Sequence, residues 1–141
     1  MTAVSTQSRV DLWFWGLALL ALGTAANAVW MLVDPAGWYR ELPAGVPDTG
    51  PLNAHFVRDI GCAFLTLAVG LAAAAWLPRW RAPLVALAAL FFTAHAALHV
   101  FDTLRGSLDA GHWALDFPGV YAPAFLLIVL AWLALRRDLR A

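Results

Sequence analysis

Two short polar stretches interrupt the long apolar runs of this chain: "HAALHVFD", residues 95–102, and "NAHFVRDIGC", residues 53–62. In the first, His95, His99 and Asp102 stand at i, i+4 and i+7, so in a helix they share one face. In the second, His55, Asp59 and Cys62 repeat that spacing, with Arg58 beside them. Imidazole and carboxylate together make three kinds of chemistry available. His55, Asp59, His95, His99 and Asp102 form a candidate ligand set for a transition metal such as Zn, Fe or Cu, because these ions accept nitrogen and oxygen donors. His55 and His99, one from each stretch, are the candidate axial pair for a b-type haem; His95 and His99, a turn apart on one helix, cannot both serve the same iron. Buried Asp–His chains also relay protons. A fourth reading is structural: an Arg–Asp–His network that only fixes helix packing, as in an accessory subunit.

The surroundings decide what solvent these groups meet. Of 141 residues, 62% are hydrophobic and 13% charged, and the mean hydropathy is +0.72, whereas soluble domains carry about 25% charged residues. Nine arginines balance nine acids and there is no lysine, so no basic face invites nucleic acid. The single Cys62 excludes an internal disulfide. Apolar segments cover about residues 12–33, 54–77, 82–104 and 118–135. Each is long enough to cross a hydrocarbon core of ~30 Å at ~1.5 Å per residue. The expected fold is therefore all-α: one integral membrane domain over residues 1–141, a four-transmembrane-helix bundle in the lipid bilayer. "ANA" at residues 26–28 has the composition of a signal-cleavage site, but the apolar run continues to Val33, and the segment is read as a helix. Asn53 suits an N-cap of the second helix, and Pro83 the first turn of the third.

The arginines set the expected orientation. Arg9, Arg79, Arg81, Arg136, Arg137 and Arg140 lie at the two termini and in the second loop; the first and third loops hold only Arg40 and Arg105, among acids. The positive-inside rule then places the N- and C-termini in the cytoplasm. Trp13, Trp15, Trp76, Trp80 and Trp132 fall at the inner interface, and Trp30, Trp38, Tyr39, Trp113 and Tyr121 at the outer one, as two aromatic belts. The first loop, "DPAGWYRELPAGVPDTGPLN", carries four prolines and three glycines and is expected to be turns with little regular structure. With the acidic third loop it is expected to form a small lid over the outer helix ends.

In this topology the polar groups converge on one depth. His99 lies ~7 Å and His95 ~13 Å below the outer end of the third helix, and Asp59 on the second helix comes level with His99. Asn27 and Tyr121 belong to the same outer half, which makes them further candidates for the cluster, whereas the inner half is nearly pure Ala, Leu, Val and Trp. Ionisable groups in lipid cost about 2.5–3.5 kcal/mol each on insertion scales, which makes a function the default reading. Arg58 is expected to snorkel to water or pair with Asp59 or Asp102, or to act as counter-charge to a bound anion. Asn27 is an expected partner for a neutral His95. His112 is read as an exposed loop residue, Cys62 as a small buried one, and the Ala89, Thr93, Ala97 row as a close-packing face.

No G-x-S-x-G, P-loop, Rossmann glycine fingerprint or C-x-x-C occurs, and the cluster offers no serine-type nucleophile. At "NAHFVRDIG" and "HAALHVFD" the chain resembles small four-helix bacterial integral membrane proteins of unassigned function, and in size and layout it is similar to the DoxX-like group. The expected place is the bacterial inner (plasma) membrane as a multi-pass protein; a relay would need a homo-oligomer, since four helices are few for a transporter, and the structural reading a partner membrane subunit. Some members of that group are linked to redox chemistry, which the resemblance extends to this chain as an expectation without a catalytic residue attached.

Overall fold

The computed structural model describes residues 11–138. Among them every regular element is helical: α1 (Leu12–Val33), α2 (Pro35–Glu41), α3 (Ala54–Trp76), α4 (Arg81–Leu104), α5 (His112–Leu115) and α6 (Ala122–Asp138). Each long helix starts or stops for a local reason. Asp11 caps α1 by accepting the Phe14 N–H at 2.9 Å, and Asn53 caps α3 by accepting that of Phe56 at 3.1 Å. Pro83 falls within the first turn of α4, where its missing N–H costs nothing. The fourth long segment does not begin as a regular α-helix: Phe117–Tyr121 forms a π-helical turn that leads into α6.

The first loop holds more structure than its composition implies. Asp34 ends α1 and at once caps α2, accepting the Gly37 N–H at 2.9 Å, with Pro35 in the first turn. A 3-10 turn follows at Val46–Thr49. The expectation of turns alone failed because the same Asp-Pro pair that stops one helix is a start signal for the next.

Helix α1 packs chiefly on α3, and α4 chiefly on α6, with α3 and α4 joining the two pairs. The seams are built from small residues. Ala28, Ala74, Ala75, Ala88, Ala131 and Ala134 are buried, with Leu17, Leu71, Val85 and Leu127 between them. Many large side chains point outward: Leu19, Leu22, Leu90 and Phe125 are all about two-thirds exposed or more, while Phe14, Phe64 and Phe92 turn in. Small residues inside and large apolar ones outside are the arrangement expected of helices solvated by lipid tails. Four of the helical segments are long and apolar enough to cross a membrane, as a small multi-span membrane protein requires.

The tightest seam is at Gly61. A Cβ there would lie 3.1 Å from the Met31 Cβ and 3.3 Å from the Ala28 carbonyl oxygen. Gly61→Leu should therefore force α1 and α3 apart and lower stability by about 1–3 kcal/mol. Gly23→Leu should be near neutral, since a Cβ at Gly23 meets nothing within 4 Å. Thermal unfolding of both variants in the same detergent checks the contrast.

Candidate functional site

The histidine end of the bundle is assembled around Asp116. This residue opens the π-helical turn, and its carbonyl oxygen accepts both the Val120 N–H at 2.8 Å and the Tyr121 N–H at 3.3 Å. The widened turn, which Pro118 enters without a donor of its own, sets the Asp116 side chain inward, where it is 1% exposed. Two imidazoles approach one of its oxygens. The Nδ1 of His99, from α4, lies 2.8 Å from Asp116 Oδ2, and the Nδ1 of His112, from α5, lies 3.5 Å from the same atom.

His112 then passes the contact on to the first loop. Its ring is fully buried, and its Nε2 faces Asp48 Oδ2 at 3.3 Å. Asp109 joins from the third loop, so that ligating atoms of Asp48, Asp109 and His112 all lie within 4.8 Å of one another. Gly45 makes room for this meeting. Its φ of +61° favours glycine, and a Cβ would lie 3.0 Å from Asp48 Oδ2 and 3.1 Å from His112 Cε1. The two loops thus do close over one end of the bundle. Trp38 on α2 adds an anchor, donating from Nε1 to Asn27 Oδ1 at 2.9 Å.

On its inner side the chain of groups continues along α4. His95 and His99 meet edge to face with ring centroids 4.7 Å apart, and His95 lies parallel to Phe91 and edge-on to Phe64. From loop to bundle interior the order is Asp48 and Asp109, His112, Asp116, His99, His95. Three carboxylates share this network, and among the described residues no arginine pairs with any of them. With neutral histidines the cluster is strongly electronegative, a setting that attracts a cation. Three buried polar atoms gather in or beside it without a hydrogen-bond partner: His112 Nδ1, Asp116 Oδ1 and Tyr121 Oη. Leaving such atoms unpaired costs about 1–3 kcal/mol each, and groups that carry this cost tend to be functional.

The residues singled out by spacing are divided by the structure. His95 and His99 do share a face and touch. Asp102 turns to Arg105, 3.7 Å away. His55 pairs with Asp59 at 3.4 Å on the open surface of α3, 88% and 60% exposed, and among the described residues no hydrogen bond or ion pair links them to the α4 histidines. Each member of the suggested haem pair therefore has its own carboxylate: Asp59 for His55, Asp116 for His99. Arg58 pairs with neither Asp59 nor Asp102; its Nε donates to the Leu32 carbonyl oxygen at 3.2 Å. Asn27 serves Trp38 rather than His95, and Tyr121 stacks on Trp113. Cys62 is exposed, not buried, because it follows Asp59 on the outward face of α3. Of the small-residue row, Ala89 is buried, but Thr93 and Ala97 are exposed.

His112 is the main correction. It was expected in an exposed loop and is instead the most enclosed histidine, because its segment folds into α5 and the first loop covers it. A signal for it was present: "HWALD" repeats the His-x-x-x-Asp spacing of "HFVRD", placing His112 and Asp116 on one face.

No protein-family model, curated protein or solved structure matches this chain. The likeness to the DoxX-like group therefore rests on size and four-helix layout alone.

Proposed function

We propose that this is a multi-pass protein of the bacterial inner membrane, with both termini cytoplasmic, that binds a divalent transition-metal ion at its outer end through Asp48, Asp109 and His112. The observation that carries the reading is the double engagement of His112. Its Nε2 lies 3.3 Å from the solvent-reaching Asp48, Asp109 joins the same group with ligand atoms within 4.8 Å, and its Nδ1 lies 3.5 Å from the buried Asp116. Metal-binding histidines almost always have a carboxylate, carbonyl or water beyond the far nitrogen, which fixes the ring and strengthens its donor, and Asp116 Oδ2 stands in that position at 3.5 Å. The spacing also fits. Bonds of about 2.0–2.2 Å in a tetrahedral site separate neighbouring ligand atoms by roughly 3.3–3.6 Å; Asp48 and His112 are 3.3 Å apart, and the set with Asp109 spans at most 4.8 Å, so Asp109 would close in on an ion.

Three ligands leave at least one position open towards the loops, as in sites that exchange a bound water or ligand. Nitrogen with two carboxylates favours Zn(II), Mn(II) or Fe(II) over the soft-ligand sites of Cu(I). Zn(II) is the practical probe.

The test uses tag-free protein in mild detergent, equilibrated with Zn(II), dialysed and analysed for metal by mass spectrometry. The expected result is close to one ion per chain, lost in the Asp48→Ala/Asp109→Ala double variant while its helical circular dichroism is retained. Wild type that keeps no ion, or a double variant that keeps as much as wild type, would sink the assignment.

A further inference from the structure

The opposite end of the bundle carries a second set of charged groups unconnected with the histidines. Arg81, at the start of α4, is largely enclosed. Its Nε and Nη2 donate to the Ala74 and Ala75 carbonyl oxygens in the last turn of α3, at 3.2 and 3.5 Å, and its Nη1 lies 3.9 Å from Asp11 Oδ2. The same guanidinium stands 5.3 Å from the centroid of the Trp13 ring. Arg137, at the end of α6, stands 5.2 Å from that same centroid. Its neighbour Arg136 lies 3.9 Å over Trp132. Arg79 is exposed in the Pro78–Trp80 turn that joins α3 to α4.

Three separate elements thus bring four arginines to the end where Asp11 lies. Of these four, only Arg81 has a carboxylate near it among the described ion pairs. Tryptophan faces hold Arg136 and Arg137 in place without neutralising them, because a ring quadrupole supplies attraction but no counter-charge. The surface around them is apolar and aromatic: Trp15, Trp76, Trp80 and Trp132 are each about half exposed or more, and Leu12 and Leu135 lie beside them. A free anion would match the arginines and leave this apolar rim in water. A peptide would have to insert among lipid tails. A phosphodiester that carries acyl chains matches both halves, since indole rings sit at headgroup level.

We propose that the arginine–tryptophan end is a binding site for anionic phospholipid, with Arg79, Arg136 and Arg137 contacting headgroup phosphates and the exposed indoles lying along the adjoining glycerol and acyl region. Arg81 is the structural member of the set, tied to the end of α3, and it holds Trp13 for Arg137.

The test is lipid competition on the full chain in reconstituted bilayers, read by quenching of the tryptophan fluorescence with brominated phosphatidylglycerol against brominated phosphatidylcholine. Wild type should prefer the anionic lipid by more than tenfold at low salt, since each arginine near such a surface contributes about fivefold. Arg79→Gln/Arg136→Gln/Arg137→Gln should bring the ratio close to one, with its helical circular dichroism unchanged. Arg40→Gln/Arg105→Gln, which removes charge from the other end, should keep the wild-type ratio. Equal quenching by the two lipids in wild type would overturn the proposal. So would an equal loss in the Arg40/Arg105 variant, or displacement of the lipid by millimolar inorganic phosphate, which would make this an anion site without lipid specificity.

Discussion

Asp116→Ala should destabilise the protein by about 3–5 kcal/mol, more than any other single change in the polar network. The carboxylate is 1% exposed and is the common partner of two imidazoles, one of them fully buried. Its removal takes the only hydrogen-bond partner from His99 Nδ1, at a cost of about 1–3 kcal/mol, and opens a cavity beside the enclosed His112 ring. It also loosens the contact that holds α5 against α4, so the first loop loses the surface on which Asp48 rests. Asp116→Asn keeps the volume and one acceptor oxygen and should cost about half as much. Unfolding free energies in one detergent, followed by circular dichroism, check the order. A loss below about 1 kcal/mol for the alanine variant would mean that the buried contacts around Asp116 contribute little to the fold.

Removing His112 should have the largest effect on metal binding. Loss of a partner one step behind a ligand lowers affinity by about 10–100-fold, so loss of the ligand itself should exceed 100-fold. His112→Gln is the better variant, since its side chain fills part of the volume of a fully enclosed ring. Asp116→Asn should fall in the 10–100-fold range, because it weakens the partner on His112 Nδ1 and leaves the three ligands in place. His55→Ala should not change affinity, as His55 contacts Asp59 on a different helix face. Competition against a chromogenic zinc chelator measures all four proteins on one scale. If His55→Ala weakens binding as much as His112→Gln, the ion is held by the α3 pair instead, and the loop site is wrong.

The loop anchors explain why these effects should appear at a distance from the bundle core. Tyr39 donates to the Gly50 carbonyl oxygen at 2.9 Å and Trp38 ties α2 to α1 through Asn27, so the segment bearing Asp48 is held at both ends. Sites on loops position their ligands well only when such contacts lock the backbone.

How far these features could be read from the chain differs with the range of the interactions that set them. Helix existence is local. Uninterrupted apolar runs, caps such as Asp11 and Asn53, and prolines at helix starts act within a turn or two, and the expected bounds 12–33 and 54–77 agree with α1 and α3 to within a residue. The shared face of His95 and His99 is equally local, because the 3.6-residue period requires it. Their direction was not read there: the expected close-packing row was Ala89, Thr93 and Ala97, whereas the buried side of α4 runs through Val85, Ala88 and Phe92.

Which polar faces meet was not legible, because it depends on how each helix is rotated about its axis. On α3 the buried face runs through Val57, Gly61, Phe64, Ala68 and Leu71, with Gly61 set against α1. His55 and Asp59 stand about 200° from Val57 and Gly61, two residues at roughly 100° each. Close packing at Gly61 therefore turns the His55–Asp59 pair outward, away from the histidines it matched in depth. The partner His99 found instead is Asp116, 17 residues along the chain, delivered by a π-helical turn. Asp48 meets His112 across 64 residues, through two loops that have no common pattern in the sequence. Periodicity governs what lies on one helix face; only the closure of the chain on itself determines what that face touches.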